Sequence, residues 1–240
     1  MRPLQVPMFT PETEWIPPTH LPDLKDHKEI AIDLETRDPG LKHSGSGSVN
    51  GNGEVVGIAV AVEGWSGYFP IAHEGGGNMD RALVLDWFEE VLHTDATKIF
   101  HNAMYDVSWI RSMGFYIRGG IIDTLIAASL IDENRWGYAL NTLGKQYVGM
   151  GKNEKILQEA AKAWGVDPKA EMWRLPAPLV GEYAEQDAVV TLKLWHALQH
   201  EISKQDLWDV FNLETNLFPC LIDMKFKGCL LYTSPSPRDS

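Results

Sequence analysis

Glu29-Ile30-Ala31-Ile32-Asp33-Leu34-Glu35-Thr36 is the stretch on which the fold turns. It is apolar, carries β-branched residues and alternates at its end, which is the pattern of a strand. Strand side chains point to opposite faces in turn. Ile30, Ile32 and Leu34 therefore share one face, and Ala31, Asp33 and Glu35 the other. On a covered face, two neighbouring carboxylates oppose each other's ionisation, and a divalent cation relieves that cost. An edge strand with a solvated face carries the same short motif, so the rest of the chain must decide.

Upstream of the strand, residues 1–28 are rich in proline and polar groups, with Pro17-Pro18 and Pro22, and read as an extended arm. Downstream, Asp38-Pro39-Gly40 opens a Gly/Ser/Asn-rich loop that runs to Gly53. Its composition predicts an exposed, flexible long turn, with closure over a substrate as the alternative. Strands over 55–62 and 67–72, joined at Glu63-Gly64, form an antiparallel meander. Gly75-Gly76-Gly77 lacks the Gly-Lys-Ser/Thr ending of a phosphate-binding loop. Asn78 is the expected N-cap of a helix ending near His93. A short strand over 98–101, a helix over 103–112 and a strand over 119–123 follow. Beyond them the periodicity is helical, over 124–131, 138–147, 153–164, 178–201 and 206–226. This order predicts an α/β fold with a mixed five-stranded sheet flanked by helices. Residues 229–240 cannot build a core and are expected to be disordered. Their abrupt change of composition after Phe226-Lys227-Gly228 suggests a non-native tail.

The 240 residues suit one large domain with appendages, and the 44% hydrophobic content supports a real core. No apolar run has the length of a transmembrane helix, and no segment has the pattern of a secretory signal. A cytoplasmic protein without a membrane partner is expected. Cys220 and Cys229 are not spaced as a metal knuckle and give no disulfide framework. A net charge of −12 argues against a broad nucleic-acid-binding surface. It leaves room for a nucleic-acid enzyme whose cations are bound metal.

Two helices carry acids on their apolar faces. Asp106 shares a face with Trp109, Ile110 and Met113. An acid near a helix start also suits the positive end of the dipole, and Asn102, one turn earlier, is a candidate cap. Val180, Tyr183, Asp187, Val190, Leu194 and Leu198 follow three- and four-residue steps, so Asp187 lies within a core-facing stripe. A buried acid needs a partner. Here that is a metal on one reading, and a buried Arg or backbone donors on the other. Tyr183, one turn away, reaches the same volume. Asp33, Glu35, Asp106 and Asp187 thus point inward from three elements, an environment for two hard divalent cations.

Four pieces carry a resemblance: Asp33-Leu34-Glu35-Thr36, His101-Asn102-Ala103-x-Tyr105-Asp106, Asp123-Thr124 and Tyr183-Ala184-x-x-Asp187. As a collinear set they resemble the 3′-5′ exonuclease domain of family A DNA polymerases, phage type, within the tyrosine subclass of the DEDD exonucleases. The likeness runs from about Ile30 to Leu198. It implies a ribonuclease H-like fold and two Mg²⁺ or Mn²⁺ ions. Asp33, Glu35 and Asp187 would hold the first ion, and Asp33 would bridge to the second near Asp106. Tyr183 would orient the attacking water. Thr36 and Asn102 would contact the substrate, a single-stranded DNA 3′ end. The sister subclass has a histidine where Glu182 stands here. The implied division is an arm over 1–28, the exonuclease domain over 29–205 and a helix over 206–228. In the family that helix leads into a polymerase domain, which this chain would lack, and the setting is the cytoplasm of a bacterial or phage-infected cell. A ribonuclease D-like RNA exonuclease and a silent nucleic-acid-positioning module are the alternatives.

Overall fold

Strand β1 (Glu29–Arg37) runs down the middle of a five-stranded sheet in the computed structural model, which describes residues 6–151 and 154–228. Short helices α1 (Leu41–Ser44) and α2 (Gly47–Asn50) follow it, then β2 (Glu54–Val62), β3 (Trp65–Pro70) and helix α3 (Arg81–Leu92). Next come β4 (Thr97–Phe100), α4 (Ala103–Ser112), β5 (Ile121–Asp123) and α5 (Thr124–Ile131). Helix α6 (Leu140–Leu143) runs into a π-helical turn at Gly144–Val148. Helix α7 (Lys155–Trp164), a 3₁₀ turn (Met172–Arg174), α8 (Pro178–Lys204) and α9 (Trp208–Lys227) complete the order. The expected tail at 229–240, with Cys229, lies outside the described residues, as do residues 1–5 of the expected arm.

The sheet order is β3-β2-β1-β4-β5. β1, β2 and β3 are antiparallel; the Glu63-Gly64 turn returns the chain directly from β2 to β3, and Gly64 supplies the positive φ of 79° that the turn needs. β4 and β5 pair parallel on the other side, with α3 and α4 as the crossover segments that parallel pairing demands.

The alternation of β1 separates two cores. Ile30, Ile32 and Leu34 join Val60, Phe69, Phe88, Phe100 and Ile110 on the face covered by α3 and α4. Ala31, Ala59 and Ala61 lie on the other face, where small side chains let the long helix α8 approach the strands. Val180, Ala184, Ala188, Leu194 and Leu198 of α8 fill that second core.

Several expectations change. Asp80, not Asn78, caps α3, accepting from the amides of Ala82 and Leu83, because Asn78 is drawn to the backbone of His73 instead. The arm is laid down on the domain. The Trp15 indole donates to Glu185 at 3.0 Å and fills a slot that only Gly181 leaves open, since a Cβ there would stand 2.3 Å from the ring. The Gly-rich loop stays exposed over 41–45 and 49–52, as expected, but it folds into α1 and α2 and is anchored between them. Asp38 accepts from Gly47 N at 3.0 Å, and the Trp109 ring fills the space that Gly47 and Gly53 leave without a Cβ. One further device is invisible in sequence: Lys98 is wholly buried, and its Nζ donates to the carbonyls of Thr94, Ala96 and Arg118 and to the Thr94 hydroxyl at 2.6–3.0 Å. Burial lowers its ammonium to about 8.

Candidate active site

α8 crosses the β1 face that carries Asp33 and Glu35 and brings Asp187 to them. One oxygen from each of these three carboxylates lies within 4.8 Å of the others. Asp187 is buried, as its place on the apolar stripe requires. Among the described residues Arg174 and Lys98 are buried cations; Arg174 pairs with Glu74 and Glu171, and Lys98 with backbone carbonyls.

Asp106 stands beside the trio. The parallel pairing of β1 with β4 ends at Ala31, and farther along β1 the Leu34 amide donates to Asp106 Oδ1 at 3.0 Å. Burial first, and then the charge of Asp33, push the Asp106 carboxyl well above the usual carboxylate range. Tyr183 hydrogen-bonds Asp187 one turn on, and burial together with Asp187, Glu35 and Asp33 raises its phenol strongly. Tyr183 is therefore a neutral donor aimed at the acids.

The two expected substrate contacts separate. Thr36 follows a register shift after Glu35, and its hydroxyl lies 2.6 Å from the Tyr105 hydroxyl. It lines neither cavity described below. Asn102 faces the acids, but it is not a side-chain cap of α4. It adopts a left-handed φ of 69°, and the amides of Asn102 and Ala103 are taken by Asp123 at 2.9 and 2.8 Å. Asp123 also accepts from Leu125 N at 2.9 Å, so one carboxylate caps α4 and α5 together. Sequence reasoning missed that role, and it missed His101. The His101 ring is 2.8 Å from the Thr124 hydroxyl and 2.9 Å from the Tyr138 carbonyl, which ties the segment before α6 to the site. A second tie lies deeper. Tyr68 and His73 bond at 2.6 Å, and the other His73 nitrogen meets the Leu175 carbonyl at 3.0 Å. Burial lowers His73 to about 4, so its Nδ1–H donates to Leu175 and its Nε2 accepts from Tyr68. This holds the segment that enters α8.

Two cavities flank the acids. One, of about 440 Å³, contains Asp33, Asp187, His101, Asn102 and Tyr138. The other, of about 430 Å³, contains Glu35, Tyr183, Asn141 and Lys169. Ala139 and Leu140 belong to both walls. The donor set is all oxygen and all anionic, and it fits a hard divalent cation and no soft metal.

A protein-family model described as 3′-5′ exonuclease matches residues 12–203. The chain is 37% identical over 242 aligned positions to a DNA-directed DNA polymerase of Pseudomonas phage M6, covering 94% of this chain and 35% of the relative. It is 28% identical to DNA polymerase I of Pseudomonas aeruginosa, covering 88% of this chain and 23% of the relative. The chain thus spans about a third or less of these relatives' own length. Among solved structures, Brucella melitensis NrnC with bound Mg²⁺ superposes with a TM-score of 0.61 at 17% identity, covering 89% of this chain and 94% of that one. The likeness is one of fold.

Proposed function

This chain belongs to the 3′-5′ exonuclease family of family A DNA polymerases, and we propose that it hydrolyses single-stranded DNA from the 3′ end and releases 5′-mononucleotides. The convergence of Asp33, Glu35 and Asp187 within 4.8 Å carries this reading. A fold without such chemistry gains nothing from the repulsion of three carboxylates. Asp33, Glu35 and Asp187 would hold one divalent cation, and Asp33 with Asp106 a second, Mg²⁺ or Mn²⁺. Such ions, when bound, supply Lewis acidity and neutralise charge on the phosphate that reacts.

The chain's own residues do the rest. Tyr183 keeps its proton and donates a hydrogen bond to Asp187, and its phenol oxygen, held in this way, would accept a hydrogen bond from the attacking water and orient it. Water adds its oxygen to phosphorus, the bond to the 3′ oxygen of the retained strand breaks, and that oxygen takes up a proton. Asp123 holds α4 in place, so that Asp106 meets Leu34. The two cavities give the terminal nucleotides room on either side of the acids. Residues 29–205 form the nuclease unit, and 206–228 lead toward a polymerase domain, the partner for which this activity would proofread.

The test is digestion of 3′-directed single strands of DNA and of RNA, with Mg²⁺ and with chelator. Release of deoxynucleoside 5′-monophosphates with Mg²⁺ alone is expected. Preference for RNA would move the chain to ribonuclease D-like chemistry. Binding of DNA without cleavage at any Mg²⁺ concentration would overturn the proposal.

A further inference from the structure

Nine tryptophans punctuate this chain; eight are buried or partly buried, and Trp136 alone is fully exposed, at 107% of its reference area. A single exposed apolar residue is ordinary on any surface. Its place and its anchoring set this one apart. The wall of the cavity that holds Asp33 and Asp187 begins at Tyr138, two residues on, which is at most about 7 Å of chain. The backbone is tied on both sides of the indole. Tyr138 Oη donates to the Asp132 carbonyl at 2.8 Å, which closes the loop on itself. His101 then holds the Tyr138 carbonyl at 2.9 Å from inside the site. Arg135 lies over the Tyr147 ring, and the Trp136 indole is exposed beside it.

We propose that Trp136 is a stacking platform for an unpaired base of the bound DNA strand; this rests on the nuclease reading above. With a net charge of −12, the chain has few cations to offer to phosphates. An aromatic face is the other general source of affinity for single strands, and it tolerates any sequence because every base has a π-face. An enzyme that steps along a strand needs that tolerance. The leaving nucleotide must sit over the acids, so a platform on the rim meets the retained strand, upstream of the bond that breaks. Very short substrates do not reach it.

The experiment compares the full chain with Trp136→Ala and Trp136→Phe on two substrates, a deoxydinucleotide and a single strand of about a dozen nucleotides. Trp136→Ala is expected to raise KM for the longer strand on the order of 5- to 100-fold, with kcat and dinucleotide hydrolysis unchanged. Trp136→Phe should recover most of the loss. An unchanged KM, as expected of a tryptophan that docks another protein domain, overturns the proposal. So does an equal loss on both substrates, which would mean that the loop merely shapes the acid site. If the wild type cleaves neither substrate, the nuclease reading fails by itself. Anisotropy of a labelled strand with Ca²⁺ then decides the stacking, with weaker binding by Trp136→Ala supporting it and equal binding overturning it.

Discussion

Asp123 and Asp187 are both buried acids beside helices, at 6% and 4% exposure, and they meet the cost of burial by opposite means. Asp123 is surrounded by amides. Asn102, Ala103 and Leu125 donate to it at 2.8–2.9 Å, and these bonds oppose the rise in pKa that burial causes. Asp187 is surrounded by other acids and a tyrosine, gathered where oxygen ligands converge. The first arrangement holds two helices in place. The second gathers negative charge in one small volume, which a bound cation would balance. One buried carboxylate is thus held among backbone amides, and the other stands in a cluster of like charge beside a tyrosine donor.

The widest separation between the two should come from activity. Asp33→Ala or Asp187→Ala is expected to lower nuclease turnover on the order of 1,000-fold or more while the melting temperature holds. Near-normal turnover at saturating Mg²⁺ would remove the distinction. Asp123→Ala should do the reverse. It strips the acceptor from three amides, at a cost of roughly 2–4 kcal/mol in denaturant unfolding, and leaves measurable turnover at low temperature. An unchanged unfolding midpoint would show that water replaces the cap. Tyr183→Phe is expected to be milder, a loss of about 10- to 100-fold in kcat, because the hydroxyl orients a water that other groups activate. A rate equal to wild type would reduce Tyr183 to packing.

The smallest effect is on the protein without metal. Asp187→Asn removes one charge from the crowded trio, so its melting temperature in EDTA should rise, by the equivalent of about 1 kcal/mol, and its response to Mg²⁺ should flatten. A lower melting temperature would mean that the hydrogen bonds to the Asp187 carboxylate outweigh the repulsion. Acid should act in the same direction. The folded Asp106 carboxyl is raised above its unfolded value, so the folded state binds the proton first. In EDTA this term adds stability as pH falls from neutral through the folded pKa, and the gain is complete below the unfolded value near 3.8. Melts across that range check the sign.

Where a local period carries the information, the sequence was legible. The alternation of β1 put Asp33 and Glu35 on one face, and the helical steps of α8 put Asp187 in a buried stripe. The structure agrees on both. What escaped is non-local. The composition of the loop after Asp38 spoke for exposure and flexibility, and most of the loop is exposed, yet Gly47 and Gly53 are packing sites for a tryptophan that lies more than fifty residues farther along the chain. Asn78 and Asp80 are both good caps, and only the proximity of His73 takes Asn78 out of contention. Asp123 was part of a motif, but the amides that define its work belong to a helix start about twenty residues earlier. Trp136 carried no pattern at all, and its exposure is a fact of three dimensions.

Lys98 turns the interior into a clock. Its amine is sealed beneath the surface, with four oxygens within 3.0 Å, so an acylating reagent in solution cannot reach it while the domain is closed. Other lysines, such as Lys25, are open to the solvent. Under a large excess of reagent they acquire label at once, while the β4 peptide acquires it only as often as the domain opens. Mass spectrometry of that one peptide against time then reads the opening of the fold directly, with no denaturant and no probe attached beforehand.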